Sequence, residues 1–152
     1  KLSDIQYGII KNIANKDEFI AEKNNGAFLN KKMVIIPDMP ASDLVYDITF
    51  SKLCDDRSFF LSNQTAIRSL GCASLEMCMV ATGAFDAYIV GEEYMRITDI
   101  AASTIFVREA GGIVANIYGY NLQMPLDLDA RTSIIAACNN QIITSIAENL
   151  NK

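Results

Sequence analysis

The spacing of apolar and polar residues changes part-way along the chain. Between residues 5 and 36, short apolar runs are separated by polar, turn-forming residues, as around Gly26. Runs of this length bounded by Asn, Asp and Gly are typical of antiparallel strands joined by hairpins. Two prolines within four positions follow. They mark a boundary between a segment 1–38 and a larger unit, residues 39–152.

The larger unit shows a different pattern, in which strand-like and helix-like segments alternate. The predicted helices are 51–61, 72–83, 97–110 and 140–150, and the predicted strands are 43–50, 66–71, 85–91, 111–119 and 132–139. Such alternation predicts an α/β layer built on a largely parallel or mixed sheet.

One predicted helix, residues 97–110, is apolar on almost every side, which indicates that it is buried. Gly111 and Gly112 follow it, where a left-handed C-cap is usual. Asp99 nevertheless lies in its first turn. A structural interpretation is that the helix dipole favours an acidic residue there, which can also cap free N–H groups. A functional interpretation is that Asp99 faces a cleft and holds a metal ion or a substrate hydroxyl.

Composition narrows the functions open to the chain. Hydrophobic residues make up 51% of the 152 positions, enough for a sizeable core. The 13 basic and 18 acidic residues leave a net charge of −5, and no basic stripe is present, which argues against a nucleic-acid partner. No apolar run is long enough to cross a membrane, and no signal-peptide pattern opens the chain. We therefore expect a cytoplasmic protein without a membrane partner.

The chemistry available to the chain is limited by its lack of histidine. This excludes Ser-His and Cys-His triads and imidazole zinc sites. The four cysteines show no C-x-x-C spacing and lie in apolar segments, so we expect reduced thiols in or near the core. Any bound metal would be a hard cation on carboxylate and carbonyl oxygens, which favours Mg²⁺ over Zn²⁺.

Four segments in order resemble the inositol monophosphatase family. Residues 98–114 resemble its signature W-D-x-A-[AG]-G and the following helix ending in E-A-G-G, although Thr98 replaces the tryptophan and Ser103 the last glycine. The stretch before this signature looks closer to the archaeal branch, similar to enzymes acting on both inositol monophosphates and fructose 1,6-bisphosphate. The other segments resemble the family's A-E-x-G-x-G-A-F-x-N-G hairpin, its glycine turn with the following helix, and its closing hairpin and strand: residues 21–32, 67–88 and 125–140.

The resemblance implies an α/β fold of the layered α+β sugar-phosphatase type. Its C-terminal domain would have a mixed sheet flanked by helices, preceded by a few antiparallel strands of an incomplete N-terminal domain. The implied activity is Mg²⁺-dependent hydrolysis of a small phosphate monoester, inositol monophosphate or fructose 1,6-bisphosphate or both. Asp99 corresponds to the family aspartate that ligates a catalytic magnesium ion and touches the substrate hydroxyl beside the scissile phosphate.

The turn formed by Gly71, Cys72 and Ala73 corresponds to the family turn whose backbone N–H groups meet substrate hydroxyls. The alternative is an ordinary turn between a strand and a helix.

Two charged side chains are further candidates for binding substrate. Glu92, or its neighbour Glu93, would take the part of the family glutamate that contacts a substrate hydroxyl; the alternative is a solvated loop charge. Arg96 lies three residues before Asp99 and could bind a second sugar phosphate as a bidentate donor. A surface salt bridge is the competing interpretation.

The family's other metal ligands, a glutamate and a D-P-[IL]-D-[GS]-[ST] motif, do not occur in the chain and would lie upstream of Lys1. One aspartate cannot hold octahedral Mg²⁺ against water. We therefore expect this chain to supply the substrate side and one metal ligand, with little activity alone. Its expected partners are the missing N-terminal portion, in the same protein or another chain, and further copies of itself in a homo-oligomer. The alternative is a non-catalytic α/β binding or assembly domain.

In the family, strands like those of residues 5–36 join a larger sheet whose other strands lie upstream. Here we expect an open sheet edge and an uncovered apolar face, which recruit partners or aggregate. The candidate residues for that face are Ile9, Ile13, Phe19 and Phe28.

Overall fold

The computed structural model describes residues 1–37, 44–49 and 66–151, which form two sheets and three α-helices. The elements are a 3₁₀ turn (Leu2–Asp4), β1 (Tyr7–Lys11), β2 (Glu18–Glu22), β3 (Gly26–Leu29), β4 (Lys32–Val34), β5 (Val45–Ile48), β6 (Ala66–Arg68), α1 (Ala73–Ala81), β7 (Ala87–Arg96), α2 (Ile97–Glu109), β8 (Ile113–Ala115), β9 (Arg131–Ala137) and α3 (Asn140–Leu150). The helix predicted over 51–61 and the boundary predicted at residue 38 lie outside the described residues.

The first sheet is antiparallel with the order β1-β2-β3-β4, as the hairpin pattern predicts. Its inner face packs on α2, and the rings of Phe19 and Phe106 meet edge to face at 5.5 Å. The expectation that Phe19 lies on an uncovered face is therefore wrong, because the alternation of β2 turns it toward the helix. Ile9 and Ile13 are exposed as expected, Ile13 to 88%.

An apolar row crosses the outer face of this sheet. Ile9 pairs with Ile20, Ile20 with Phe28, and Phe28 with Met33, so one side chain from each strand contributes. Ile9 and Met33 are exposed, and Ile20 and Phe28 are half-buried. Cross-strand neighbours on one face lie close enough to form a continuous strip.

The second sheet is mixed, with the order β6-β5-β7-β9-β8. Strands β5, β6 and β7 are parallel, while β9 runs antiparallel to both β7 and β8. Helices α1 and α2 lie between the two sheets, and α3 packs on the far side of the second sheet. The predicted α/β architecture with a mixed sheet flanked by helices is confirmed.

One apolar core joins the first sheet to the middle helices and to the near face of the second sheet. Glu109 at the end of α2 adds a polar link, because its carboxylate accepts the N–H groups of Asn24 (3.0 Å) and Gly26 (3.1 Å) in the turn between β2 and β3. Segment 1–37 is thus fastened to the larger unit by packing and by hydrogen bonds.

The predicted buried helix is α2, which ends at Glu109, one residue short of the predicted end. Gly111 follows with a φ of +94°, the left-handed conformation expected of a C-cap glycine. None of the described helices has both the length and the apolar character that crossing a membrane requires.

Candidate functional site

Two helix N-termini open on the same cavity, of about 470 Å³. It lies beyond the carboxyl ends of the parallel strands β5 and β6, where α/β sheets commonly bind ligands. The lining residues come from the segment after β5, the turn before α1 and its first helical turn, strand β7 and the start of α2: Thr49, Gly71, Cys72, Ala73, Ser74, Glu76, Tyr88, Tyr94, Met95, Arg96, Thr98 and Asp99.

Asp99 is held rigidly at this cavity. Strand β7 passes into α2 without a loop, and the buried Ile97 and Ile100 anchor the first turn on either side of Asp99. The Ser74 hydroxyl donates to the Asp99 carbonyl oxygen at 2.7 Å, which ties the two helix N-termini together. The Asp99 side chain remains 32% exposed. A carboxylate fixed in this way is presented to the cavity.

Arg96, three residues before Asp99, forms an ion pair with this carboxylate. Its Nε donates to Oδ2 of Asp99 at 3.0 Å and its Nη2 to Oδ1 at 3.2 Å. The guanidinium hydrogen bond and charge hold the pKa of Asp99 below its usual value, in spite of partial burial, so Asp99 is ionised at neutral pH. The structure thus shows Arg96 in an ion pair; binding of a second phosphate stays a prediction.

The turn before α1 is shaped by an internal acceptor. The N–H groups of Leu70 and Gly71 donate to Oε1 of Glu76 at 2.7 and 2.6 Å. Gly71 has a φ of +81°, a conformation that favours glycine. The Gly71 N–H is therefore directed at Glu76. Ala73 and Ser74 lie in the first turn of α1, where backbone N–H groups have no intrahelical acceptor.

The cysteines of the described residues are free thiols, as expected, but the expectation that they lie in or near the core is wrong for Cys72. Cys72 is exposed at the cavity, Cys78 is buried in α1, and Cys138 is half-buried after β9. Burial raises the pKa of Cys78 and also that of Cys138, so these two thiols stay protonated.

Glu92 and Glu93 lie elsewhere than the sequence suggests. The prediction that they belong to a loop is wrong, because β7 continues to Arg96. The pairing of β7 with β9 shifts register between Val90 and Met95. At this irregularity β7 has more residues than the facing part of β9, and Glu92 and Glu93 lie there. Both glutamates are exposed there, and neither lines the cavity.

Two buried carboxyl groups beneath the cavity escaped the sequence analysis. Asp47 of β5 is fully buried and Glu76 of α1 almost fully. They lie against each other, and burial, followed by the charge of Glu76, raises the pKa of Asp47 to about 7. The available signal was an acidic residue inside an otherwise apolar strand and another inside an apolar helix, since buried charges need a partner.

The described residues do not by themselves fit a magnesium site. No group of three His, Cys, Asp or Glu side chains among them is arranged to hold a metal ion. Asp99 offers one carboxylate, already paired with Arg96, and Glu76 is committed to backbone N–H groups. Octahedral Mg²⁺ needs more oxygen ligands than this.

The fold and site define a layered α/β protein with a cavity set between two helix N-termini. The chain belongs to the inositol monophosphatase family, whose family model matches residues 3–152. This confirms the family inferred from the four sequence segments. The fold is also similar to that of a solved structure over most of this chain. A crystal structure described as an inositol monophosphatase–fructose 1,6-bisphosphatase superposes with a TM-score of 0.85 at 29% identity, covering 94% of this chain and 56% of that one.

Three relatives show the range of the similarity. The bifunctional NADP phosphatase/NAD kinase of Methanococcus maripaludis is 37% identical over 155 residues, covering 94% of this chain and 26% of that protein. The fructose-1,6-bisphosphatase/inositol-1-monophosphatase of Methanothermobacter thermautotrophicus is 35% identical, covering 98% and 54%. Inositol monophosphatase 1 of Homo sapiens is 33% identical, covering 91% and 51%. The chain thus spans about a quarter to a half of the curated relatives it matches.

Proposed function

We propose that this chain is the substrate side of a Mg²⁺-dependent phosphatase that hydrolyses a sugar or inositol phosphate monoester. The observation that carries the proposal is the convergence of the N-termini of α1 and α2 on one cavity, with the ionised Asp99 at its rim. Helix N-termini offer partial positive charge and free N–H groups, both of which favour a phosphate ester.

Each site residue has a proposed part in this reaction. Asp99 supplies one ligand to Mg²⁺ and accepts a hydrogen bond from the substrate hydroxyl next to the phosphate. Arg96, which already orients Asp99, is placed to bind a second anionic group on the substrate. The turn of Gly71, Cys72 and Ala73 forms the wall against which the substrate rests. A metal ion held by Asp99 together with ligands from elsewhere would supply Lewis-acid chemistry to the phosphate.

Among the described residues Asp99 is the one candidate ligand, and it does not suffice to hold Mg²⁺, so the proposed reaction needs further ligands. We propose that they belong to an N-terminal portion of the same protein or to a separate chain. The open outer row of the first sheet supports association with such a partner or with a second copy. A cytoplasmic location is supported by the free thiols of the described cysteines.

A second candidate is a non-catalytic binding or assembly domain. It is favoured by one observation: both oxygens of Asp99 are engaged by Arg96, and the described residues contain no further metal-binding cluster. Such a domain would bind an anionic ligand without cleaving it.

The test has two stages. In the first, inositol 1-phosphate, fructose 1,6-bisphosphate and NADP are titrated into the ¹⁵N-labelled chain with Mg²⁺, and amide shifts are expected at Ala73, Ser74 and Asp99. In the second, the N-terminal portion is restored, and turnover that EDTA abolishes is expected for at least one ester. Shifts without turnover in the restored, folded protein would favour the binding domain. An absence of shifts at all three amides would contradict both candidates.

A further inference from the structure

The direction of the Asp47 side chain follows from the sheet. In β5, Tyr46 and Ile48 belong to the core beneath α3, so the alternation of the strand turns Asp47 to the opposite face, toward α1. The register places Asp47 beside Arg68 of β6 on one side and Tyr88 of β7 on the other. Asp47 therefore lies in the middle of the parallel strands, directly below the cavity.

Asp47 has few donors to stabilise a negative charge. Neither of its oxygens accepts a well-aligned hydrogen bond from the described residues, although the backbone N–H of Leu70 lies near enough to lower the pKa of Asp47 against the larger effect of burial. Arg68, its register neighbour, is exposed and its Nη1 donates to the Ile67 carbonyl oxygen instead. The Tyr88 hydroxyl contacts Thr49 and the sulfur of Met95. A fully buried carboxylate next to a second carboxyl group is disfavoured, and the Leu70 N–H does not offset this, which makes the neutral acid the stable form of Asp47.

Glu76 has the opposite environment. It is almost fully buried, yet its Oε1 accepts two short hydrogen bonds, from the N–H groups of Leu70 and Gly71. These two donors fix Oε1 of Glu76 as a hydrogen-bond acceptor. Its carboxyl group also lies within hydrogen-bonding reach of Asp47. Two carboxyl groups in such contact need a proton between them.

We propose that Asp47 and Glu76 share a single proton, carried by Asp47 and donated to Glu76, and that this pair is a positioning device for the turn Leu70–Cys72. The protonated Asp47 supports the Glu76 carboxylate from below, and Glu76 in turn holds the two amides that shape the cavity wall. The role of this positioning in substrate binding rests on the proposed function, whereas the sharing of the proton is independent of it.

Loss of the shared proton would leave two negative charges in contact in a buried place. Their repulsion would pull Glu76 away from the amides of Leu70 and Gly71, so the geometry of the turn would depend on pH. Among the described residues, Tyr88 faces both carboxyl groups, and Cys72 lies near Tyr88. Burial raises the pKa of Tyr88, so its phenol stays neutral, and a Cys72→Ser background removes the thiol from consideration.

The experiment follows the ¹³C carboxyl signal of Asp47 and the amide signal of Gly71 as pH is raised through neutrality, in the Cys72→Ser background. Both signals are expected to titrate together, with a midpoint near the value of about 7 that burial imposes on Asp47. An Asp47 signal typical of an ionised carboxylate throughout, or a Gly71 amide that does not respond, overturns the proposal. The measurement needs no variant that has to fold with an altered core.

Variants then separate positioning from simple packing. Asp47→Asn keeps the size and donates an N–H to Glu76 but cannot titrate, so the Gly71 amide should stay at its low-pH position at every pH. Asp47→Leu leaves position 47 uncharged but offers no donor to Glu76, so the same amide should be displaced at every pH. Glu148→Gln on α3 is the matched control and should titrate like the parent. An unchanged midpoint in Asp47→Asn overturns the proposal, whereas absence of phosphate-ester binding with the titration intact contradicts only the proposed function.

Discussion

Arg96 and Asp99 form a two-point ion pair across the junction of a strand and a helix, with Nε–Oδ2 at 3.0 Å and Nη2–Oδ1 at 3.2 Å. The pair orients the carboxylate at the cavity without burying it. Because Arg96 is the last residue of β7 and Asp99 lies in the first turn of α2, the backbone itself sets their spacing. Because Arg96 binds both oxygens of this carboxylate, a metal ion at Asp99 would share the ligand with the Arg96 guanidinium.

The first prediction concerns Asp99→Asn in the protein with its N-terminal portion restored. Removal of a metal ligand's charge should lower kcat/KM at least about 100-fold, equivalent to roughly 2.7 kcal/mol. The melting temperature should barely change, because exposed ion pairs contribute little. Steady-state kinetics at saturating Mg²⁺ and a thermal melt measure the two effects. Asp129→Asn, an exposed change away from the cavity, is the control; near-normal turnover in Asp99→Asn would return Asp99 to a structural role.

The second prediction concerns Glu109, whose carboxylate accepts the N–H groups of Asn24 and Gly26. Glu109→Ala should lower the free energy of unfolding by about 1.5–3 kcal/mol, the usual range for hydrogen bonds to a charged group. Urea unfolding is the measurement. Glu22→Gln, on the exposed part of the same hairpin, should change stability far less. Equal losses in the two variants would show that the link between hairpin and helix is unimportant.

The third prediction separates two adjacent glycines. Gly111 needs its left-handed backbone, and a Cβ there would meet nothing within 4 Å. A Cβ on Gly112 would lie 2.6 Å from Ile36 Cδ1 and 2.7 Å from Val107 Cγ1. Each change to Ala should cost about 1–3 kcal/mol, by strain at Gly111 and by overpacking at Gly112.

Asparagine distinguishes the two causes, because Asn tolerates the left-handed region better than Ala but is larger. Gly111→Asn should be milder than Gly111→Ala in urea unfolding, and Gly112→Asn harsher than Gly112→Ala. The same order at both positions would refute this assignment.

The fourth prediction concerns pH and Asp47. The unfolded carboxyl ionises near 3.8, whereas the folded one keeps its proton to about 7, so unfolding releases a proton between these values. The contribution of Asp47 to stability is therefore complete below about pH 4 and is lost as pH rises to about 7. Asp4 and Asp99 have lowered pKa values and act below this window. Urea unfolding across the window should show a downward slope that Asp47→Asn flattens; parallel curves would contradict the assignment.

The fifth prediction concerns the outer apolar row of the first sheet. Ile9 and Met33, at its two ends, are exposed, and such strips drive association. The isolated chain should show concentration-dependent association in sedimentation, and Ile9→Lys combined with Met33→Lys should suppress it. Leu70→Lys, an exposed apolar residue away from the sheet, is the control. A chain that stays monomeric at high concentration would contradict this expectation.

Local patterns alone determined much of the secondary structure. The hairpins of residues 5–36, the buried helix α2 and the left-handed Gly111 follow from apolar spacing and turn chemistry, which depend on neighbours only a few positions away. Four family-like segments in order likewise placed the chain in its family, because each motif is contiguous. These features could be predicted because their causes are short-range.

Only the tertiary structure decided which distant residues meet. Asp47 and Glu76 are 29 positions apart, and they meet because α1 covers the face of the second sheet toward which Asp47 points; their spacing carries no periodicity that would reveal it. The burial of Phe19 depends on which face of its sheet α2 covers, a choice that alternation leaves open. Likewise, the extension of β7 to Arg96 depends on pairing with β9, since strand length is set by the partner strand and its hydrogen bonds.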